Sequence, residues 1–503
     1  MTLSRNTLKH ISNKSLTIPD QSIFDLPEKV LQFGTGVLLR GLPDYFIDKA
    51  NRQGIFNGRI VVVKSTSQGD SSAFDEQDGL YTICVRGIEN GKKVEENIIN
   101  ASISRVLSAQ NEWEQILQCA NNPDLQVIIS NTTEVGIQLV KDDIRQQPPV
   151  SFPGKLLAFL YKRFKAFDGS EQSGMIIIPT ELIPDNGKKL QSIVVKLARE
   201  NGLEENFIQW LQQHNRFCSS LVDRIVPGKP DAATLSALES ELGYTDQLLT
   251  MAEVYRLWAI EGDEHVKNVL SFARVDAGVI IEPNIDIYRE LKLRLLNGTH
   301  TLSCGLAFLA GFETVKLAMD DEAIAGYIKE LMLQELAPSI PYPVDISSAR
   351  EFGNKVLDRF RNPHIKHQWI SITVQYSSKM KMRNVPILLK HYQTHQTPPE
   401  LFALGFAAYL QFMKPIKEQG GKYYGELNGK EYPIQDDKAE TFYKRWQNLS
   451  KEDLVKEVLQ DRDLWGEDLS MLPGFYQSVL QKLELINKDG VRSVLKFVLI
   501  EKV

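Results

Sequence analysis

An α/β first domain built on a parallel sheet, followed by a mainly α-helical second domain, is the fold class this sequence predicts. Three observations predict it. Short apolar runs recur through the first half, at 29–34 (KVLQFG), 59–64 (RIVVVK), 124–130 (DLQVIIS) and 174–178 (GMIII). Near-continuous apolar runs of this length are what parallel strands covered on both faces look like. The first run ends in Gly34-Thr35-Gly36 and opens into a helical pattern (Val37, Leu38, Pro43, Tyr45, Phe46, Ile47, Asp48) before the second run begins. Strand, glycine turn, helix and strand in that order start a Rossmann-like dinucleotide-binding fold. From about residue 286 helical periodicity takes over, at 286–317, 319–336, 348–361, 399–413, 437–447, 450–459 and 473–486. The expected division is a Rossmann-like dinucleotide-binding domain over 1–284 and a mainly helical substrate and catalytic domain over 285–503.

A chain of 503 residues is too long for one core, so two domains are the natural expectation. Hydrophobic content of 43% and charged content of 24% are those of a globular protein. The net charge of −6 is interspersed, with no basic block to engage nucleic acid. The opening MTLSRNTLKHISNKS lacks the apolar core of a secretory signal. No run approaches the roughly 18 apolar residues needed to span a bilayer, so no membrane partner is expected. Cys84, Cys119, Cys218 and Cys304 form no CxxC pair, and reduced structural thiols suit the cytoplasm. His364 and His367 stand three apart in NPHIKH, but no further ligands accompany them and HExxH is absent. No metal site is expected.

Along the chain, residues 1–26 read as a polar, partly irregular arm. The β-rich segment 79–87 (GLYTICVRG) calls for a partner, placed at 97–103, and 108–119 is helical. The run 124–130 ends in Asn131-Thr132-Thr133-Glu134. Ligands of such folds sit outside the carboxyl ends of the strands, so Asn131 and Thr132 are well placed to touch the dinucleotide. A helix over 156–167 leads to the run 174–178, which passes through PTELIPDNG into a helix over 188–199. Strands at 218–225 and 278–281 complete the first domain. In the second, KYYGEL–NG–KEYPIQ reads as a hairpin with Asn428-Gly429 as a type I′ turn.

Gly34 and Gly36 stand where the chain must turn tightly and where backbone N–H groups approach a pyrophosphate. The third glycine of the usual fingerprint is missing. Arg40 is either a phosphate contact or a solvated helix residue. The second strand ends in Val63-Lys64-Ser65-Thr66, with no acid for the adenosine ribose until Asp70, which leaves NAD and NADP both open.

Residues 288–301 (YRELKLRLLNGTHT) gather Lys292, Asn297 and His300. A lysine can give or take a proton, a carboxamide can donate to an oxygen on which charge develops, and an imidazole can orient that oxygen, all without a metal. The same residues also read as an ordinary amphipathic helix. On an ideal α-helix Asn297 and His300 share a face, while Lys292 lies about 140° from Asn297. A long side chain or a bend has to close that gap. Asp223 in LVDRIVP is either half of a surface ion pair with Arg224, worth little, or an acid at a strand end that orients reacting groups. Lys379 in YSSKMKMR, with Lys381 and Arg383, is either a solvated face or a cationic site for a substrate carboxylate.

Together these residues resemble the mannitol dehydrogenase family of polyol-specific long-chain dehydrogenases. GxGxxxR is matched at Gly34, Gly36 and Arg40, followed by Asp48. QDGLYT is matched at 77–82, and MVDRI-x-P at 221–227 with leucine for methionine. KxxxxNxxH is matched at Lys292, Asn297 and His300, RFxNP at 359–363, and SSK at 377–379. KSTSQG, SNTTEVGI and PTELIPDNG resemble the hexuronate branch. The resemblance implies hydride transfer between a nicotinamide cofactor, NAD with NADP not excluded, and a ketone carbon of an open-chain sugar acid, with no metal. It makes Lys292 the acid/base, Asn297 the oxyanion donor and His300 the group that positions the hydroxyl. It makes Asp223, Lys379 and Asn186 substrate contacts. Two departures stand out. The asparagine of the family's CDN segment is here Leu182, although Asn186 keeps the later NG asparagine, and the arginine eight residues before Lys379 is here Ser371. Both argue against mannitol and for a differently shaped, carboxylated substrate. A fructuronate or plain polyol dehydrogenase is the alternative, and a dinucleotide-binding regulator without turnover a more distant one.

Overall fold

The structure, a computed structural model, describes residues 1–65, 71–133 and 135–500. The chain forms two compact units, Met1–Arg86 with Lys93–Ile285, and Gly87–Lys92 with Asp286–Val503.

The first unit is built on a six-stranded sheet of β1 (Glu28–Phe33), β2 (Arg59–Lys64), β3 (Ile103–Ser108), β4 (Val127–Ser130), β5 (Ile176–Pro179) and β6 (Arg216–Phe217). Every pairing is parallel and the order is β3-β2-β1-β4-β5-β6. That is the order of the Rossmann fold, and its direction reverses between β1 and β4, where ligands of such sheets bind beyond the strand ends. The α/β expectation holds, for a reason visible in the side chains. Leu31, Phe33, Val61, Val63, Ile128 and Ile177 point into one core, while Val30, Ile60, Val62, Ile129, Ile176 and Ile178 point into another. Neighbours alternate between the two faces. Each face is covered, so the central positions are apolar apart from the buried Gln32, and each apolar side chain contributes roughly 1.5–3 kcal/mol on burial.

Two local expectations change. The partner of Tyr81–Glu89 is Lys92–Asn100, joined through Asn90-Gly91, both with positive φ (53° and 73°). The chain then turns at Asn100, whose Oδ1 accepts the N–H (2.9 Å) and hydroxyl (2.7 Å) of Ser102, and continues as β3. The segment 97–103 is therefore shared by two sheets, and the helix that follows is confined to Trp113–Gln118. The amino-terminal arm is also more ordered than its polarity predicts. Leu3, Leu8, Ile11, Leu16 and Ile23 form a small core with Tyr244 and Leu249, and Leu16–Thr17 adds a parallel strand to Lys92–Asn100. A further sheet pairs Ser220–Asp223 antiparallel with Leu257–Glu261, which runs parallel to Val279–Glu282.

The second unit is mainly helical. Glu400–Phe412 is buried on nearly all sides, as a helix apolar all round must be. The hairpin Lys422–Leu427/Lys430–Ile434 turns at Asn428 (φ 52°) and Gly429 (φ 77°), the signs a type I′ turn requires. Lys417–Gln419 adds a third strand. The pattern over 286–317 is broken into Asp286–Leu291, a π-helical turn at Lys292–Gly298, and helices Thr299–Leu309 and Val315–Met319. Among the described residues no helix is long and apolar enough to cross a membrane. All four cysteines are buried and unpaired.

Candidate active site

In the first unit the glycine turn follows β1. Gly34 has φ +128°, and a Cβ placed on it would stand 2.9 Å from the Asn131 carbonyl oxygen and 2.9 Å from Leu39 Cδ1. Both the backbone angle and the close approach of the loop after β4 require glycine there. Around Gly36 the situation is the reverse: nothing lies within 4 Å of where a Cβ would be. Gly36 is the N-cap of the helix Val37–Gly41, in an extended conformation (φ −65°, ψ 156°). A tight turn beside open backbone fits a dinucleotide phosphate. Gly34→Ala is expected to cost about 1–3 kcal/mol of stability and to weaken NADH binding, read by thermal melting and fluorescence titration. Wild-type values in both would refute the requirement.

Asn131 and Thr132 lie beside this turn. The Asn131 N–H donates to Phe33 O (3.1 Å), and its Nδ2 donates to Thr180 Oγ1 (2.9 Å). The Thr132 N–H and hydroxyl both donate to Glu181 Oε1, at 2.8 and 2.9 Å, and Glu181 Oε2 accepts from Ser130 Oγ (3.1 Å). Glu181, only 3% exposed, therefore anchors the loop after β4 from the end of β5. This role went unassigned in the sequence, although an acid directly after an apolar parallel strand is the same positional signal that marks Asn131. Glu134 and residues 66–70, which include Asp70, lie outside the described residues.

The structure places the other first-unit residues singled out in the sequence as follows. Arg40 is neither at the glycine turn nor solvated. It is buried, donates to the Leu248 carbonyl, and lies over Phe74 and Tyr81 at 5.7 and 5.5 Å. Asn186 is fully buried and saturated: Nδ2 donates to the carbonyls of Pro179 (3.0 Å), Glu181 (2.9 Å) and Ser220 (3.1 Å), and Oδ1 accepts from the N–H groups of Gly187 and Ser220, both 2.9 Å. It locks the exit of β5 and has no atom left for a substrate. Leu182 beside it is 62% exposed. Asp223 closes the strand Ser220–Asp223 in a buried position. Its neighbour Arg224 is no surface residue. Arg224 donates to the carbonyls of Glu253 (2.9 Å) and Gly41 (2.6 Å) and lies 4.5 Å over Tyr45, and burial pushes its guanidinium down to about 10.

In the second unit, Lys292, Asn297 and His300 lie on one continuous helical run whose middle stretch, Lys292–Gly298, is π-helical. A π-turn hydrogen-bonds i→i+5. It brings a residue five positions on back over the first far more closely than an α-turn does, so the Lys292–Asn297 gap is narrowed without a kink. Such turns are rare and often mark functional sites. This one is tied by side-chain hydrogen bonds within the run and to the chain at 382–384. Arg294 is paired with Glu290 (2.8 Å) and donates to the carbonyls of Met382 (2.7 Å) and Arg383 (2.8 Å). Asn384 Nδ2 donates to the Gly298 carbonyl (3.0 Å), and Thr301 Oγ1 to the Asn297 carbonyl (2.8 Å). Carbonyls that leave the α ladder are thereby satisfied.

The Asn297 carboxamide makes no hydrogen bond to a described residue. His300 is buried, stacked face to face on Phe360 (4.2 Å, 15°), with His367 and Trp369 edge-on at 5.2 and 5.9 Å. Its Nε2 is buried without a partner. Burial first, then His367, Arg359 and Arg383, hold its pKa well below the usual imidazole value. His300 is therefore neutral at pH 7 and offers one donor and one acceptor nitrogen. Lys379 donates to the Ile372 carbonyl (3.1 Å), and burial, then Arg383, lower its pKa. His367 feels both Arg359 and Lys379. It thus belongs to the surroundings of His300. Among the described residues no group of three or more His, Cys, Asp or Glu side chains is arranged to hold a metal ion. Phe360, Trp369 and His367 were not singled out for this setting, because only the folded helices carry them to His300.

Residues 28–273 match the family model described as the mannitol dehydrogenase Rossmann domain, and residues 284–487 match the mannitol dehydrogenase C-terminal domain. An altronate oxidoreductase of Halalkalibacterium halodurans is 36% identical over 506 residues, covering 99% of this chain and 96% of the relative. One from Escherichia coli O7:K1 is 37% identical over 479 residues, covering 93% and 96%. Two solved structures share the fold. Pseudomonas fluorescens mannitol 2-dehydrogenase, in ternary complex with NAD and D-mannitol, has a TM-score of 0.65 at 22% identity over 99% of both chains. A substrate-free D-sorbitol dehydrogenase has a TM-score of 0.74 at 18% identity, covering 98% of this chain and 100% of that one. The chain belongs to the mannitol dehydrogenase family and is an oxidoreductase acting on CH–OH groups.

Proposed function

We propose that the chain catalyses the reversible, NAD(H)-dependent reduction of D-tagaturonate to D-altronate, with Lys292 as acid/base and without a metal. The observation that carries the chemistry is the π-turn that brings Lys292 toward Asn297, one helical turn before the neutral His300. Near full-length similarity to altronate oxidoreductases supports the choice of substrate.

A bound nicotinamide supplies the hydride in reduction and accepts it in oxidation. The backbone of Gly34–Gly36 with Asn131 and Thr132 would hold the dinucleotide. Lys292 gives its ammonium proton to the alkoxide as the ketone is reduced, and takes the hydroxyl proton in the reverse direction. Asn297 donates from its carboxamide to the same oxygen as charge develops there. His300, neutral and with an unpartnered Nε2, orients that hydroxyl. Lys379 adds positive charge toward the substrate carboxylate, and Asp223 orients the substrate from its strand end. Asn186 is given no part because its amide atoms are spent inside the fold, and Arg40 none because it is buried with Nη1 on the Leu248 carbonyl. The substrate is a small sugar acid, and the buried unpaired thiols suit a reducing cytoplasm.

The test is a matrix of steady-state rates, NADH and NADPH against tagaturonate, fructuronate and fructose. Tagaturonate with NADH is expected to give the highest kcat/KM. A higher value for fructuronate or fructose reassigns the substrate. Background rates in every cell leave only a dinucleotide-binding role.

A further inference from the structure

We propose that Arg383 is the residue that selects a carboxylated substrate, its guanidinium taking the carboxylate of an acidic sugar. This rests on the reading of the chain as a sugar-acid dehydrogenase and assigns the part of the site that reads the acid.

Arg383 ends the helix Tyr376–Arg383 beside the catalytic run. Its Nη1 donates to Thr301 Oγ1 (3.1 Å), and Thr301 in turn donates to the Asn297 carbonyl (2.8 Å). The guanidinium is thus two hydrogen bonds from the Asn297 main-chain carbonyl and is bonded to the residue that follows His300. The rest of the group is unmatched. Nε is buried with no partner, and among the described residues no carboxylate pairs with Arg383. Two arginines of the unit do have carboxylate partners, Arg294 with Glu290 (2.8 Å) and Arg445 with Asp461 (2.6 Å). Burial of an unpaired guanidinium is costly unless something supplies the missing charge.

The surroundings deepen the imbalance. Arg383 and Arg359 both act on His300, Arg359 and Lys379 both act on His367, and Arg383 acts on Lys379. Asp436 is the acid nearest to Lys379 in effect, and its carboxylate is already engaged by the N–H groups of Ser377 (2.7 Å) and Lys438 (2.8 Å). A buried guanidinium without a carboxylate among the described residues, hydrogen-bonded to the residue that follows His300, is chemically matched to a hydroxy acid and mismatched to a neutral polyol. With Nη1 spent on Thr301, the Nε–Nη2 edge remains, and that edge meets a carboxylate with two parallel hydrogen bonds. Ser371, standing where the family has an arginine, is exposed. Beside His300 the helix Tyr376–Arg383 supplies Lys379 and Arg383, and the helix Ile346–Phe360 supplies Arg359.

The experiment measures binding, so it does not depend on turnover. D-Altronate and D-mannitol are titrated calorimetrically into the protein with NADH present, a combination in which no hydride can move. Wild type is expected to bind altronate roughly tenfold or more tighter than mannitol. Arg383→Gln is expected to lose roughly 100-fold in altronate affinity, with mannitol affinity within about threefold of wild type. Arg383→Lys keeps the charge but not the fork, and is expected to fall between them. NADH affinity reports that each variant is folded, and the lysine variant carries the comparison if the glutamine variant is not. Unchanged altronate affinity, an equal loss for both ligands, or a wild type without preference for the acid overturns the proposal. A protein that binds altronate through Arg383 yet reduces no uronate would sink the proposed reaction and leave this assignment standing.

Discussion

Lys292→Ala lowers kcat roughly 100- to 10,000-fold, the span usually lost with a positioned acid/base, while the Kd for NADH stays at its wild-type value. Within the run that carries Lys292, Asn297 and His300, Lys292 is the group able to hold a proton in one direction of the reaction and shed it in the other. Asn297 does not titrate, and His300 is held neutral by burial and by the cations around it. The variant leaves the glycine turn and the loop after β4 untouched, so dinucleotide binding is a control for folding. Single-turnover measurement of NADH oxidation separates the chemical step from product release. Partial recovery on adding a small primary amine identifies the missing function as proton transfer. Turnover within tenfold of wild type would sink the assignment of Lys292.

Asn297→Ala is the second large effect. Removing one preorganised donor to an oxyanion costs about 3–4 kcal/mol, or roughly 100- to 1,000-fold in kcat. KM is expected to move little, because the interaction strengthens only as charge develops on the oxygen. A loss shared equally between kcat and KM, or a variant with near wild-type kcat, would show that Asn297 holds the ground state or nothing. The Asn297 main-chain carbonyl still anchors Thr301 in this variant, so the π-turn is expected to survive. Unchanged far-UV circular dichroism and melting temperature check that.

Much of the fold was legible along the chain because the signals are local. β1, β2, β4 and β5 are apolar at consecutive positions, and only a parallel strand covered on both faces buries such a run. Gly34 is demanded by one backbone angle and one close approach. The chemical types of Lys292, Asn297 and His300 are likewise a property of the residues themselves. The partner of Tyr81–Glu89 was misplaced because one apolar stretch, 97–103, serves two sheets and only strand pairing divides it.

Side-chain direction and helical register are different, since both depend on groups distant in sequence. Arg40 has the spacing of a phosphate contact, yet Leu248, Phe74 and Tyr81 claim its guanidinium. Asn186 stands in a substrate-binding motif, yet the carbonyls of Pro179 and Ser220 saturate it. The apolar spacing of 286–317 predicts one helix, because a single residue of extra winding leaves the pattern of buried leucines almost unchanged. The π-turn at Lys292–Gly298 persists because Arg294 and Asn384 tie it to the chain at 382–384. Composition and order along the chain sufficed to say that this is a dinucleotide fold carrying a lysine, an asparagine and a histidine suited to carbonyl chemistry. How those three line up, and that the Arg383 Nε lies buried without a partner beside them, follows from hydrogen bonds and burial that exist only once the helices have packed.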